Sequence, residues 1–178
     1  MKDSLLDTRR LVISAVMAAV VAVFTLSIRL PIPATGGYFN LSDVAVFFTA
    51  FVFGPIPALI AGGVGAGLAD IIGGFPEFSW LSLLAHGTEG LLAGMLAMGA
   101  SKARLVLAWV AGAAAMVGWY LVGEALILTG IGPAIAEIPT NLVQVAVGGV
   151  VGFVLVLAVK AAYPPIMSIA HPRTWREL

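Results

Sequence analysis

Long apolar runs, each about as long as a bilayer is thick, constrain this chain more than any other feature. A helix needs roughly 20 apolar residues to cross the hydrocarbon core of a membrane, and the run over 11–30 approaches that length. The chain is 61% hydrophobic and only 10% charged, with a mean hydropathy of +1.08, whereas soluble domains carry about 25% charged residues. A chain of 178 residues with this composition cannot keep its apolar surface out of water, so the sequence predicts an integral membrane protein.

Glycine, proline and charged residues divide the chain into six predicted helices without a linker or a second domain. The turn over 54–57 (GPIP) separates the second helix from the third, and a loop over 129–137 is expected before the sixth. The first run is expected to be retained rather than cleaved, because it is longer than the apolar region of a typical signal peptide. The predicted fold class is an all-α integral membrane protein, a single transmembrane domain over 1–178 with spans at about 11–30, 41–53, 57–73, 80–99, 105–128 and 138–162.

The basic residues predict how these spans are oriented, because cytoplasmic loops carry an excess of lysine and arginine. With six spans both termini lie on one side, and Arg29 alone falls on the other. The residues on the side of the termini are Lys2, Arg9, Arg10, Lys102, Arg104, Lys160, Arg173 and Arg176. We therefore expect a multi-pass protein of the cell membrane with both termini cytoplasmic.

Polar and ionisable side chains concentrate in the outer halves of the predicted spans, and the inner halves hold almost none. Charged groups within a span are costly unless they face the bundle interior or a wet cavity. The pattern therefore predicts a pocket that opens to the outside, is closed toward the cytoplasm, and suits a small, polar, partly aromatic ligand. The candidate ligand-binding residues are Asn40, Asp43, Asp70, Trp80, His86, Glu89, Trp119, Tyr120, Glu124, Asn141 and Gln144.

Several of these candidates also have a purely structural interpretation. Asn40 and Asp43 are spaced as a helix N-cap followed by an acid three residues on. Trp80 and Tyr120 match the aromatic belt found at membrane interfaces. The amides Asn141 and Gln144, spaced i, i+3, match hydrogen-bonding groups between helices.

His86 and Glu89 share one helix face at i, i+3 spacing, which favours a buried pair. We predict no metal site from this pair, since no further ligand set is evident in the sequence. The chain has no cysteine, which excludes disulfides and thiolate chemistry. The equal numbers of acidic and basic residues argue against a nucleic-acid partner.

Small residues form a stripe near the cytoplasmic end of the first helix. Ala15 with Ala19, and Ala18 with Ala22, repeat the small-xxx-small spacing that lets another helix approach closely. The stripe indicates either a docking surface for a partner protein or packing inside the bundle.

Six segments in this order resemble the substrate-binding S components of energy-coupling factor (ECF) transporters, in the group that includes riboflavin-type and hydroxymethylpyrimidine-type S components. The resemblance is clear over about 11–94, whereas the last two helices match only in hydropathy. The segments are Ala15-x3-Ala19, PIPATGGYFN (31–40), NLSDVAVFF (40–48), FGPIPALIAGG (53–63), GAGLADIIGG (65–74) and GTEGLLAG (87–94).

The resemblance implies a six-helix bundle that captures a vitamin or related micronutrient from outside. Docking through Ala15 and Ala19 onto a transmembrane T component, itself coupled to two cytoplasmic ATPases, is implied as well, with the loop over 31–40 as a lid. The chain has no G-x-x-x-x-G-K-[ST] phosphate loop, so ATP is used by partner subunits and no cofactor is expected here. His86 stands where the resemblance leads us to expect a lysine, which indicates a different substrate.

Three other functions remain open at this point. An intramembrane enzyme needs a nucleophile with a base or paired metal ligands, and the chain lacks both H-E-x-x-H and G-x-S-x-G. A stand-alone small-molecule or proton-coupled carrier needs polar groups in the cytoplasmic half, and a structural scaffold predicts no bound small molecule. Riboflavin, a pyrimidine precursor of thiamine, pyridoxine and pantothenate all remain possible ligands.

Overall fold

The described part of the chain forms a bundle of six main helices, five of them long, joined by short connections. The computed structural model describes residues 8–97 and 102–169. Lys2, Arg173, Arg176 and the predicted end of the fourth span at 98–99 lie outside the described residues. The helices are α1 (Thr8–Ser27), α2 (Ser42–Phe53), α3 (Pro55–Gly73), α4 (Ser79–Ala97), α5 (Lys102–Gly123) and α6 (Ile131–Ala162), followed by a single turn, α7 (Ile166–Ile169).

Four segments are long and apolar enough to cross a membrane, as judged by length and composition: Thr8–Ser27, Pro55–Gly73, Ala103–Leu128 and Ile131–Ala162. By contrast, α2 has 12 residues and is about 18 Å long at 1.5 Å per residue. It is therefore shorter than a hydrocarbon core of about 30 Å. The predicted all-α class is confirmed, with α2 as a short helix inside the bundle.

The connection between α1 and α2 is more regular than the loop that the sequence predicts. Strands β1 (Leu30–Pro31) and β2 (Tyr38–Phe39) pair antiparallel, with Leu30 opposite Phe39 and Pro31 opposite Tyr38. The chain reverses through Gly36, whose positive φ of 77° suits glycine. Strand pairing fixes this segment as a hairpin over the end of the bundle.

The predicted loop over 129–137 is wrong, because α6 already begins at Ile131. Pro133 lies in the first turn of α6, where backbone N–H groups have no partner within the helix and a proline loses nothing. Pro139 lies further inside α6, as membrane helices tolerate. Between α5 and α6, residues Glu124–Leu128 form one π-helical turn.

The end of the bundle away from the hairpin is packed with aliphatic and aromatic side chains. We call this cluster the inner plug. It joins α2, α3, α4, α5 and α6 and consists of Phe47, Ala50, Phe51, Val52, Ala58, Ala93, Ala97, Leu105, Ala108 and Val156. Its members are at most 6% exposed, so that half of the interior is closed to polar molecules.

Candidate functional site

A polar pocket lies at the hairpin end of the bundle, opposite the inner plug. Its walls come from the hairpin, the end of α3, and the outer parts of α4, α5 and α6. The ten lining residues enclose a cavity of about 20 Å³, which has room for about one water molecule. They are Gly37, Tyr38, Asn40, Asp70, Phe78, Ser82, Tyr120, Glu137, Asn141 and Gln144.

The hairpin closes this pocket from above through a contact with α6. The Thr35 hydroxyl donates a hydrogen bond to Oε2 of Glu137, across 102 positions of the chain. Within the hairpin, the Ile32 amide donates to the Gly37 carbonyl at 2.8 Å. The arrangement fits the lid expected over 31–40, with Thr35 as the point that fastens it to the bundle.

Two hydrogen bonds between side chains connect the pocket walls. The Tyr38 hydroxyl donates to Oδ1 of Asp70 at 2.6 Å, which ties the hairpin to α3. The hydroxyls of Ser82 and Tyr120 lie 2.7 Å apart, which ties α4 to α5. Burial, and next the negative charge of Asp70, raise the pKa of the Tyr38 phenol, so it remains a hydrogen-bond donor well above neutral pH.

The amides of Asn40 and Gln144 fasten the start of α2 to α6. The Asn40 backbone N–H donates to Oε1 of Gln144 at 2.9 Å, and Oδ1 of Asn40 accepts from the Ser42 N–H at 2.7 Å. Asn40 therefore satisfies the first N–H group of α2, but the N-cap position is held by Leu41 and not by Asn40 as predicted. Asp43 does not complete the reciprocal capping pair, because the Asn40 N–H is bonded to Gln144 instead.

The pocket is acidic. Asp70 and Glu137 are 4% and 3% exposed, and no lysine or arginine is among the ten lining residues. Arg29 lies at the rim, where it donates to the Gly73 carbonyl at 3.0 Å and stands 5.8 Å from the centre of the Tyr38 ring. The pocket interior thus offers mostly hydrogen-bond acceptors and negative charge.

Directly beneath the pocket, three ionisable side chains from two helices converge. Nδ1 of His86 lies 3.0 Å from Oδ1 of Asp43 and 2.9 Å from Oε2 of Glu89. All three side chains are at most 1% exposed. We call this group the buried triad; it corrects the expectation that His86 and Glu89 have no further partner for a metal, because α2 brings Asp43 to them.

The lining set and the predicted set overlap in part. Five predicted residues line the pocket: Asn40, Asp70, Tyr120, Asn141 and Gln144. Three more, Asp43, His86 and Glu89, form the buried triad below it. The remaining three, Trp80, Trp119 and Glu124, are outside the lining.

These three residues are placed elsewhere by helix geometry. Trp119 packs against the small cluster around Met116, and the Trp80 ring lies over Gly123. Glu124 is fully buried in the π-helical turn, with neither carboxylate oxygen bonded to a group that the structure describes. It neighbours Glu137 from behind the pocket wall.

Sequence reasoning left out Glu137, Tyr38, Ser82 and Phe78 as pocket residues. Glu137, Asn141 and Gln144 are spaced i, i+4, i+7 and share one face of α6, a signal that was available. The expected loop over 129–137 concealed it. Ser82 similarly precedes His86 by four residues on α4, whereas nothing in the sequence singles out Phe78.

The alanine stripe of α1 divides into two faces. Ala15 and Ala19 are exposed on the outside of the bundle. Ala18 is 9% exposed, and its carbonyl packs against Gly65 of α3, while Ala22 is half-buried. Of the four alanines, only Ala15 and Ala19 are therefore exposed on the surface of the bundle.

Comparisons with known proteins agree with this architecture. The chain is 38% identical over 149 residues to an uncharacterized protein of Pyrococcus woesei, a match that covers 83% of this chain and 99% of that one. It is 34% identical over 150 residues to the thiamine precursor transporter HmpT of Lactococcus lactis subsp. cremoris (strain MG1363), covering 84% and 86% of the two chains.

The fold matches the solved structure of an S component of a bacterial ECF transporter. That match has a TM-score of 0.71 at 20% sequence identity and covers 87% of this chain and 97% of the other. A model of the family "ECF-type riboflavin transporter, S component" matches residues 5–161. The likeness extends through the last two helices, beyond the 11–94 over which the motifs are evident, and the members are transporter subunits rather than enzymes. The chain belongs to the family of ECF-type riboflavin transporter S components, the substrate-binding membrane subunits of vitamin uptake systems.

Proposed function

We propose that this S component captures a single-ring vitamin precursor of the aminopyrimidine type from the outer side of the membrane. The observation that carries the proposal is the acidic pocket: an enclosed, partly aromatic space whose charged lining residues are both carboxylates. A hydrogen-bond-donating or cationic ligand complements such a site, since buried carboxylates need donors or positive charge.

Charge argues against pantothenate among the vitamins that the sequence leaves open. A carboxylate ligand such as pantothenate, or any phosphate ester, would bring a negative charge toward Asp70 and Glu137, both nearly fully buried. Like charges in a buried site are strongly unfavourable. An aminopyrimidine presents N–H donors to the same carboxylates and bears no negative charge.

Size favours one ring over three. The lining residues enclose a cavity of only about 20 Å³, and the Thr35–Glu137 contact closes it. Any of these vitamins needs that contact to open and the walls to separate, and a monocyclic ring requires less separation than a tricyclic flavin. HmpT, a relative over most of its length, carries the name of a thiamine precursor transporter, which supports this choice.

The proposal includes orientation and partners. Arg9, Arg10, Arg104 and Lys160 all lie at the end of the bundle with the inner plug, and lysine and arginine favour the cytoplasmic side. The pocket then faces outward and both termini are cytoplasmic. We further propose that Ala15 and Ala19 dock onto a T component that is coupled to two ATPase subunits, which supply the energy for release inside.

Binding to the detergent-purified protein tests the substrate. We expect hydroxymethylpyrimidine to raise the melting temperature and to bind more tightly than riboflavin, while its phosphate ester binds weakly or not at all. Glu137→Gln removes a buried charge acceptor and is expected to weaken binding by about tenfold or more, since hydrogen bonds to charged groups are worth about 1.5–3 kcal/mol. The matched control is Glu77→Gln, an exposed acid that should leave affinity unchanged.

Two results would contradict the aminopyrimidine assignment. Equal binding of the phosphate ester would exclude charge selection, and preferential retention of riboflavin, seen by mass spectrometry of the released small molecules, would exclude size selection. Absence of any bound vitamin across the panel would overturn the capture function itself.

Co-purification tests the docking surface. Ala15→Leu and Ala19→Leu add bulk to the exposed face of α1 and should abolish recovery of the T component and ATPases while leaving ligand binding intact. Ala146→Leu is the control, because Ala146 is exposed on α6, away from α1. Loss of the complex with Ala146→Leu as well, or its retention with both α1 variants, would remove α1 as the docking element.

A further inference from the structure

The buried triad contains two carboxylate oxygens without a hydrogen-bond partner among the described residues, and the proposed capture of a vitamin does not use it. Asp43 comes from the first turn of α2, and His86 and Glu89 come from the middle of α4. One ligand atom from each residue lies within 4.8 Å of the other two. We propose that the buried triad is a binding site for a divalent transition-metal cation, such as Zn²⁺ or Mn²⁺.

A single imidazole N–H cannot satisfy both carboxylates of the triad. Nδ1 of His86 carries at most one proton, yet it faces carboxylate oxygens at 3.0 Å and 2.9 Å. The Ser42 hydroxyl supplies one further donor, to Oδ1 of Asp43 at 3.2 Å. Oδ2 of Asp43 and Oε1 of Glu89 find no hydrogen-bond partner among the described residues.

With both carboxylates ionised, even a protonated imidazole would leave one negative charge of the triad uncompensated. Two carboxylates that are 0% exposed face one imidazole, and no lysine or arginine is among the buried residues of the described chain. Buried carboxylates are costly unless paired or bound to a metal. A divalent cation would supply both the charge and the coordination that the unpartnered oxygens lack.

The donor set and spacing fit a metal of this class. Metal–ligand bonds of about 2.1 Å place neighbouring ligand atoms about 3.0 Å apart in an octahedral shell and about 3.4 Å apart in a tetrahedral one, and the distances of 3.0 Å and 2.9 Å around Nδ1 of His86 are close to the octahedral value. One imidazole nitrogen with two carboxylates suits Zn²⁺ or Mn²⁺, whereas an all-oxygen shell would suit Mg²⁺ or Ca²⁺.

Close helix packing holds the three ligands in place. A Cβ on Gly148 of α6 would collide with Asp43, and one on Gly62 of α3 would collide with the His86 carbonyl. The backbones of α3 and α6 therefore approach the triad as closely as glycine allows. Asp43 and His86 have little freedom to separate, so their ligand atoms are already together without a metal.

Metal titration of the full-length protein, purified without a histidine tag and treated with a chelator, tests the proposal with no vitamin present. We expect one Zn²⁺ or Mn²⁺ per chain by isothermal titration calorimetry, together with a rise in melting temperature. Asp43→Asn, Glu89→Gln and His86→Gln should each weaken metal binding by at least about tenfold, as loss of a ligand or of its partners does.

Two control variants distinguish metal binding at the triad from binding to other buried carboxylates or to the other histidine. Glu124→Gln removes a buried carboxylate outside the triad, and His171→Gln removes the other histidine of the chain. Both should bind metal as the unmodified protein does.

The competing arrangement is a proton shared between Asp43 and Glu89, and it predicts no metal binding. The proposal is overturned if the stripped, unmodified protein binds neither metal at millimolar concentration, or if the triad variants bind as tightly as the two controls. Because the titration contains no vitamin, its failure leaves the capture function standing.

Discussion

The outer and inner halves of this bundle are built from the same helices and differ in almost every side chain that faces the interior. Along α4, Ser82, His86 and Glu89 give way to Ala93 and Ala97, all of them buried. Along α6, Glu137, Asn141 and Gln144 give way in the same manner to Val156. Polar groups that can hold a ligand therefore end where the inner plug begins.

This difference indicates that the bundle can bind a polar ligand but provides no polar pathway through the membrane. In the part of the chain that the structure describes, no continuous row of polar side chains leads from the pocket through the inner plug. A channel or a stand-alone carrier needs such a lining through both halves. The outer half can hold a ligand and the inner plug blocks its passage, so the proposed release on the other side requires the bundle to move.

The largest expected effect comes from placing a charge in the inner plug. Ala50 is 0% exposed, and Ala50→Asp would bury a carboxylate with no designed partner. A lone charge of this kind costs about 3 kcal/mol or more within a membrane span, so the variant should fail to give monodisperse protein in size-exclusion chromatography.

The control for this variant is Ala50→Ser, because a serine hydroxyl can bond to its own helix as Thr49 does, donating to the Ala45 carbonyl at 2.6 Å. It should purify and melt close to the unmodified protein. Normal yield and melting temperature of Ala50→Asp would show that the inner half tolerates a charged group. That result would contradict the proposed difference between the two halves.

A second comparison exchanges one phenylalanine in each half for alanine. Phe47 of the inner plug is 0% exposed, and Phe47→Ala should lower the free energy of unfolding by about 3–5 kcal/mol through the cavity it leaves. Phe78 lines the pocket, so Phe78→Ala should mainly weaken ligand affinity.

Thermal melting and equilibrium binding should be measured on both variants. If the halves have separate roles, Phe47→Ala lowers the melting temperature with little change in affinity, and Phe78→Ala lowers the affinity with little change in the melting temperature. The same pattern from the two variants, either both destabilised without a binding defect or both defective in binding alone, would contradict that separation.

The contrast between the halves was predictable from the sequence, whereas the composition of the pocket was only partly so. Polar residues inside apolar runs are a strong signal, and their shared depth follows from counting residues along each helix. The depth of a residue along its helix does not determine whether its side chain points into the pocket or away from it. Trp119 and Tyr120 are neighbours about 100° apart around α5, and only Tyr120 turns to the pocket.

Contacts between helices distant in sequence account for the rest. The sequence shows His86 and Glu89 as an i, i+3 pair, but their approach to Asp43 depends on how α2 packs against α4. Whether Glu137 lies in a loop or on α6 depends on where α6 begins. Without tertiary contacts, Gly130 and Pro133 in the sequence favour a loop, whereas in the structure Pro133 lies in the first turn of the helix. In both cases packing between helices determines the structure, and local sequence preference does not.

A third prediction concerns the contact that closes the outer half. Thr35→Val keeps the shape of the side chain and removes the hydroxyl that donates to Glu137. A hydrogen bond to a charged group is worth about 1.5–3 kcal/mol, so ligand dissociation should accelerate by about tenfold or more while stability changes little.

Dissociation rates from rapid dilution would measure this effect. Thr35→Ser retains the hydroxyl and is the matched control, expected to release ligand as the unmodified protein does. An unchanged rate in Thr35→Val would show that the hairpin does not hold the ligand through this contact.

The smallest expected effect is spectroscopic and tests how dry the outer half is. Burial, with the neighbouring Asp70 charge, raises the pKa of Tyr38 above its usual value near 10. In the unfolded chain the same phenol ionises near pH 10, so the stability linked to its proton is fully present below pH 10 and is lost as pH rises beyond it. The measurement is the difference in phenolate absorbance between the unmodified protein and Tyr38→Phe. This difference should stay near zero through pH 10 and appear only when the protein unfolds. Circular dichroism recorded in parallel reports the unfolding. A phenolate signal that develops near pH 10 while the helices remain intact would mean that water reaches Tyr38 freely and that the hairpin end is far wetter than its packing indicates.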